Sequence, residues 1–266
     1  MTAAADFRRL HQDGLLILPN AWDAGSARLI ESLGARAIAT TSCGVAWSHG
    51  YRDGDQMPLA PLLHTVKTIA RAVSVPFTID MESGYGATAR EVAEAVVAVA
   101  AEGAAGINIE DGIIGPGEAA LRIETIREAL VKRGLDLFIN ARTDVYLRGL
   151  APKGEQVALS LGRASVYRDA GADGLFTPGV VDLEEIAALA KDSPLPLNVM
   201  ARPGLPGAAE LAKLGVRRLS AGGAISEVVY THVARLAGGF LKDGVSDAVT
   251  ADAMPYPAIN ALMPEA

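Results

Sequence analysis

Several features that mark whole protein classes are scarce in this chain. A single cysteine, Cys43, among 266 residues excludes an internal disulfide framework and suits a reducing compartment. Long apolar runs are missing as well. The Ala-rich stretch at residues 92–105 is interrupted by Glu94 and Glu102 and falls short of the roughly 20 residues a membrane helix needs. The opening Met1-Thr-Ala-Ala-Ala-Asp-Phe-Arg-Arg9 holds no apolar core of the kind a secretory signal carries. Nor is there a basic excess: 24 Lys and Arg stand against 31 Asp and Glu, a formal net charge of −7, which argues against a nucleic-acid partner. Together these absences predict a soluble, cytoplasmic protein with neither a membrane nor nucleic acid as partner.

What is present is a regular alternation. Short apolar runs occur at residues 15–18, 37–41, 76–80, 105–109, 137–140, 174–177, 197–200 and 216–220. Each has the length of a buried parallel strand. Between them lie segments rich in Ala, Glu, Leu and Arg with helical periodicity. Across residues 89–101, Val92, Ala95, Val96 and Val99 share one face while Arg90 and Glu94 lie opposite, the pattern of a helix laid on a core. Several such segments end in a glycine just before the next strand, as at Gly34, Gly103, Gly134, Gly171 and Gly215, where a left-handed cap stops the helix.

Eight strand–helix units predict a (β/α)8 TIM barrel. A doubly wound open sheet is the main rival, yet it usually carries a Gly-rich first turn, and Pro19-Asn-Ala-Trp-Asp23 stands there instead. No linker or low-complexity tract divides the chain, so residues 1–266 read as one domain. From about residue 243 the pattern gives way to a C-terminal arm containing Pro255, Pro257 and Pro264.

A barrel of this kind builds its active site at the C-terminal ends of its strands. Those ends supply Asp23, Ser42 and Cys43, then Asp80 and Glu82, then Glu110 and Asp111. Asn140, Arg142, Asp144, Thr177, Asn198, Arg202 and Ser220 follow. Four carboxylates from two adjacent units repel one another unless a cation joins them. Oxygen donors without His or Cys favour Mg2+, with Mn2+ also admissible; the four histidines have no metal-binding spacing. Taken alone, Asp80 or Asp111 is equally readable as a helix cap. Arg142 is placed either to neutralise the acids or to grip a substrate carboxylate. Ser42-Cys43-Gly44 reads as a small-residue turn whose amides face the site. Ser83-Gly-Tyr-Gly86 reads as a loop that lets the chain approach a ligand, with Tyr85 at the rim.

In order along the chain, Thr41-Ser-Cys-Gly44, Gly50-Tyr-Arg-Asp53, Asp80-Met-Glu-Ser-Gly-Tyr-Gly86, Ile109-Glu-Asp111 and Asn140-Ala-Arg-Thr-Asp144 resemble the isocitrate lyase / phosphoenolpyruvate mutase superfamily. The likeness runs from about residue 15 to about residue 223. It implies that Asp80 ligates Mg2+ directly, that Glu82 and Glu110 hold it through water, and that Asp53 stands nearby. It also implies that Arg142 binds a substrate carboxylate and that the Ser42 and Cys43 amides cradle an enolate oxygen. Asn198 is a further candidate for substrate binding. The resemblance implies a homodimer or homotetramer in which a late helix, here around residues 225–241, is exchanged between subunits.

The chain departs from the superfamily after the fourth strand. Lyases of the superfamily carry Lys-Cys-Gly-His there, and its mutases and hydrolases carry a loop with a lysine. Here Gly112-Ile-Ile-Gly-Pro-Gly117 offers no Lys, His or Cys, and the helix is expected to start near Glu118. The expected activity is a Mg2+-dependent carbon–carbon lyase or decarboxylase acting on a small 2-oxo or 2-hydroxy mono- or dicarboxylic acid through an enolate. Tyr85, Tyr51 and His49 are candidates for the missing acid. The alternatives are a phosphate-binding barrel enzyme and a barrel that binds a 2-oxo acid without turning it over.

Overall fold

The computed structural model describes residues 2–265. In chain order its elements are α1 (Ala3–Leu10), β1 (Leu16–Leu18), β2 (Asn20–Ala21), α2 (Ala24–Ser32), β3 (Ile38–Thr40), α3 (Ser42–Ser48) and α4 (Leu59–Ala72). Then come β4 (Phe77–Asp80), α5 (Ala89–Ala101), β5 (Gly106–Glu110), α6 (Pro116–Lys132), β6 (Phe138–Arg142) and α7 (Gln156–Asp169). The series ends with β7 (Gly174–Phe176), α8 (Leu183–Asp192), β8 (Leu197–Met200), α9 (Ala208–Lys213), β9 (Arg218–Ser220), α10 (Ala224–Asp243), α11 (Asp247–Thr250) and α12 (Tyr256–Leu262).

The strands form one parallel sheet in the order β1-β9-β8-β7-β6-β5-β4-β3-β2. Nine strands replace the eight expected because the first is cut in two. Pro19 has no N–H to offer a neighbour, so the lower half, β1, pairs with β9 and the upper half, β2, pairs with β3. One interrupted strand thereby closes a (β/α)8 barrel.

Local chemistry sets the helices. In α5, Thr88 and Glu91 form a reciprocal capping box at the start, which satisfies two orphan amides. At its end Gly103 takes φ 100°, the left-handed turn a side chain would resist. The face buried is wider than the four residues expected and adds Ala93, Val97 and Ala100. The helix is flanked by α4 and α6, and its apolar face joins the main core cluster. Helix α6 starts two residues earlier than expected, at Pro116. A first-turn proline gives up only an N–H that has no helical partner anyway.

Inward side chains fill the barrel in layers. At the foot, Phe7 of α1 enters beneath Phe138, ring centroids 5.4 Å apart. A side chain at Gly106 would collide with Phe7. His11 stacks on Phe138 at 4.1 Å. The next layer is polar: Asn140 Nδ2 donates to Asn108 Oδ1 at 2.9 Å and Asn198 Oδ1 at 3.0 Å. Arg218, 1% exposed, donates to Asn108 Oδ1 at 3.2 Å and lies against the Phe7 ring, 5.9 Å from its centroid. This layer is the floor of the barrel mouth.

Candidate active site

The mouth draws its acids from adjacent strand ends. Register pairs Asp80 with Asn108 and Glu110 with Arg142, so Asp80, Glu110 and Arg142 share the inward face at the C-terminal ends of their strands. A cavity of about 170 Å³ opens there, lined by Asp53, Asp80, Arg142, Ser42, Cys43 and Asn108 among others. A wider groove of about 580 Å³ lies at the opposite foot, beside Arg8 and Arg217. Barrel enzymes work at the C-terminal mouth, so the smaller cavity is the candidate site.

Burial and mutual repulsion dominate its electrostatics. Burial raises the Asp80 pKa against the pull of Arg142 and two backbone amides, and Asp53 adds to the rise. Those amides are distant donors: Ser42 N–H and Glu82 N–H both reach Asp80 at 3.3 Å. Glu110 is pushed up to about 8, again chiefly by burial, with Arg142 opposing and Asp80 and Asp144 reinforcing. Burial works against the Arg142 charge too, but Glu110 and Asp144 outweigh it and its pKa is raised. Arg142 NH1 meets Glu110 at 2.6 Å and its Nε meets Asp144 at 2.7 Å. The second terminal nitrogen also donates to Asp144 at 3.2 Å, so the guanidinium is fixed in direction between the two acids.

Two residues expected beside Asp80 as metal-holding acids turn elsewhere. Glu82, buried and at φ 49°, accepts from the Gly54 N–H at 2.9 Å, from the Asp55 N–H and from the Tyr85 hydroxyl at 3.0 Å. Its carboxylate fastens the loop that carries Asp53. Glu110 is committed to Arg142. Among the described residues no three His, Cys, Asp or Glu side chains converge as a metal-binding group. The donor chemistry still fits Mg2+, which keeps several waters and is usually bound through one or two carboxylates. Asp80, poorly satisfied and facing a second acid, is the residue suited to direct contact.

Other expectations are corrected by the packing. Tyr85 is not at the rim: Gly84 and Gly86 bring the chain against Val92 and Glu91 of α5 rather than against a ligand, and the phenol points to Glu82. Its pKa is raised by burial and by that carboxylate. Asn198 lies one layer below the cavity, its amide spent on Asn140, the Val199 carbonyl and Ser220. Met200, one pleat further along β8, lines the cavity instead. Ser42-Cys43-Gly44 is not a turn but the first turn of α3. Gly44 is tight against Trp22 and Ser226.

Asp111 is structural, buried against Arg163 at 2.5 Å and Tyr167 at 2.6 Å, and Asp23 caps α2. His49 bonds Thr65 at 2.8 Å, away from the mouth. The segment after β5 is short, and Ile113 is 82% exposed on it.

Asn20, Asn108, Leu147, Phe176 and Met200 line the cavity and were not anticipated. For Asn108 a signal existed, since it stands two positions before Glu110 on the same inward face. Leu147 had none, because it comes from the irregular loop between β6 and α7.

A parallel (β/α)8 barrel with buried acids and an ion-paired arginine at its C-terminal mouth defines the class of fold and the place of its site. The family follows from comparison, since the phosphoenolpyruvate phosphomutase model matches residues 7–241 and the chain belongs to that family. It is 37% identical over 222 residues to the uncharacterized protein Rv1998c of Mycobacterium tuberculosis (strain H37Rv), covering 81% of each chain. The 2-methylisocitrate lyase of Salmonella typhimurium (strain LT2) is 30% identical over 195 residues, 71% of this chain and 66% of that one. A crystal structure of 2,3-dimethylmalate lyase superposes with TM-score 0.86 at 25% identity, covering 98% of this chain and 95% of that one. Relatives of this kind are lyases and mutases, which supports an enzyme.

Proposed function

We propose that this protein is a Mg2+-dependent lyase that breaks a carbon–carbon bond next to the carbonyl of a small 2-oxo or 2-hydroxy acid, either as an oxo-acid lyase or as a carboxy-lyase. The observation that carries this reading is Asp80, a recessed carboxylate with only distant hydrogen bonds, facing Asp53 and Arg142 across the mouth cavity. When bound there, the cation would supply positive charge to the oxygens of the substrate and lower the barrier to enolate formation.

The chain's own residues do the rest. Arg142, held by Glu110 and Asp144, orients the substrate carboxylate. The Cys43 N–H, which meets no acceptor among the described residues, donates to the developing enolate oxygen, with the Ser42 N–H beside it. Cys43 adds its thiol, whose pKa burial raises so that it stays protonated at neutral pH. It lines the cavity and takes the place of the absent lid acid as proton donor to the enolate carbon, the thiolate left behind regaining a proton from the hydroxyl that a 2-hydroxy acid gives up, or from water. Asn108 closes the floor. The two carboxylates on the cavity wall disfavour a phosphate ligand, which they would repel.

The oligomer is proposed from α10. Only Ser226 of its 20 residues is buried, while Val228, Val229, Tyr230, Val233 and Phe240 are exposed. This apolar face is covered by a second copy that gives its own α10 in return. No described helix is long and apolar enough to cross a membrane, and a cytoplasmic enzyme is the reading proposed.

Release of a 2-oxo acid from a panel of 2-hydroxy and 2-oxo acids, with and without EDTA, tests the activity. Asp80→Ala is expected to abolish metal-dependent turnover and oxalate binding while the circular dichroism spectrum is retained. Undiminished turnover in that variant removes the metal assignment.

A further inference from the structure

Among the polar side chains that line the mouth, Asn20 and Ser220 are committed to the barrel itself. Asn20 gives its Nδ2 to the Thr40 carbonyl at 2.7 Å, and its Oδ1 receives the Gly222 N–H at 2.9 Å. The Ser220 hydroxyl accepts from Asn198 at 3.2 Å and donates to the Val199 carbonyl at 3.4 Å. Asn108 is different. Its Oδ1 is taken twice, by Asn140 at 2.9 Å and by Arg218 at 3.2 Å, while its Nδ2 finds no acceptor among the described residues. Asp80, its register neighbour on β4, receives only the Ser42 and Glu82 N–H groups on its carboxylate. Of the three layered asparagines, Asn108 alone lines the cavity.

Arg218 decides which way that amide faces. A guanidinium has donors and no acceptor, so the atom of Asn108 that meets it is the oxygen. Asn140, which meets the same oxygen, must then present Nδ2, and Asn198 must present Oδ1 to Asn140. The polarity of the whole layer thus follows from one buried cation. With Oδ1 turned into the layer, Nδ2 is left facing the cavity.

Holding Arg218 there is costly. It is 1% exposed, and its Nε and Nη1 meet no partner among the described residues, an arrangement that lowers stability. Burial brings its pKa down to about 9, with Asp80 opposing the fall, so it keeps its charge at neutral pH. An apolar side chain would fill the space without that penalty, but it would leave the Asn108 amide free to turn over.

We infer that Asn108 is a substrate-contacting residue whose Nδ2 donates to an oxygen of the acid bound in the mouth, and that Arg218 acts through it as a positioning residue by fixing the polarity of its amide. This rests on the proposed lyase reading, which puts an acid in this cavity, and goes beyond it by adding a side-chain donor to the backbone amides of α3.

Titration calorimetry of the full-length protein with oxalate in the presence of Mg2+ tests both halves as a double-mutant cycle, with circular dichroism to show that each variant is folded. Asn108→Ala is expected to weaken oxalate binding roughly ten- to hundredfold, the loss of one hydrogen bond to a charged acceptor. Arg218→Met is expected to weaken it in the parent but to add little in the Asn108→Ala background, because its effect passes through the amide. Asn108→Ser, whose hydroxyl still accepts from the layer but is too short to replace Nδ2, should show the same loss as alanine and stands in if alanine does not fold. Unchanged oxalate affinity in either folded variant overturns the contact. Equal weakening by Arg218→Met in both backgrounds overturns the positioning role and leaves the arginine a distant charge only. No oxalate binding by the parent protein overturns the lyase reading, and the inference with it.

Discussion

His11 makes the foot of the barrel sensitive to acid, and the size of the effect follows from its surroundings. The ring is 4% exposed and stacked on Phe138. Its Nδ1 donates to the Phe7 carbonyl at 2.8 Å, and its Nε2 meets no partner among the described residues. Burial, aided by the nearby Arg218 charge, lowers its pKa from 6.5 to about 3. The folded protein therefore keeps the ring neutral where the unfolded chain takes up a proton. Stability from this site is fully present above pH 6.5 and is lost as pH falls toward 3. At about 1.36 kcal/mol per pH unit, the loss near pH 5 is about 2 kcal/mol.

His11→Phe keeps the stacked ring and removes the titration, at the expense of one hydrogen bond worth about 1 kcal/mol. Urea unfolding of both proteins between pH 8 and pH 5 reads the difference. Comparing the two cancels the carboxylates at the mouth, which respond to acid with the opposite sign because their pKa values are raised. The variant is expected to be slightly less stable at pH 8, to match the parent near pH 6, and to be more stable at pH 5. Parallel stability curves across this range would refute the reasoning.

Three further outcomes are expected. Glu82→Gln removes the charge that receives two amides and the Tyr85 hydroxyl, so it should cost about 1–3 kcal/mol in thermal or urea unfolding. It should also weaken oxalate binding, because the Asp53 loop is loosened; an unchanged oxalate affinity would remove Glu82 from that role. Gly84→Ala adds a methyl against Val92 at φ 110°, and a loss of about 1–3 kcal/mol is expected from overpacking and backbone strain together. Val233→Asp lies on the exposed face of α10 and should leave the fold intact while dissociating the oligomer in size-exclusion chromatography; a wild-type elution volume would count against the exchange.

The sequence alone determined the alternation of strands and helices, because buried parallel strands and amphipathic helices carry distinct apolar periods that survive without tertiary information. It therefore specified the barrel, and with it that Asp80, Glu110 and Arg142 would share one mouth, since strand ends in a closed barrel must converge. Which way each side chain turns there was decided only by packing. Glu82 and Glu110 look alike in sequence, yet one fastens a loop through backbone amides and the other braces Arg142, because their neighbours come from distant segments. Asn198 and Met200 differ by a single pleat, and whether a residue lies in the floor or on the wall depends on the depth of each strand in the barrel. Leu147 reaches the cavity from a loop whose path no periodicity encodes. The sequence thus marks the charged strand-end residues that gather at the mouth, while long-range contacts decide which of them face the cavity and which other residues join them.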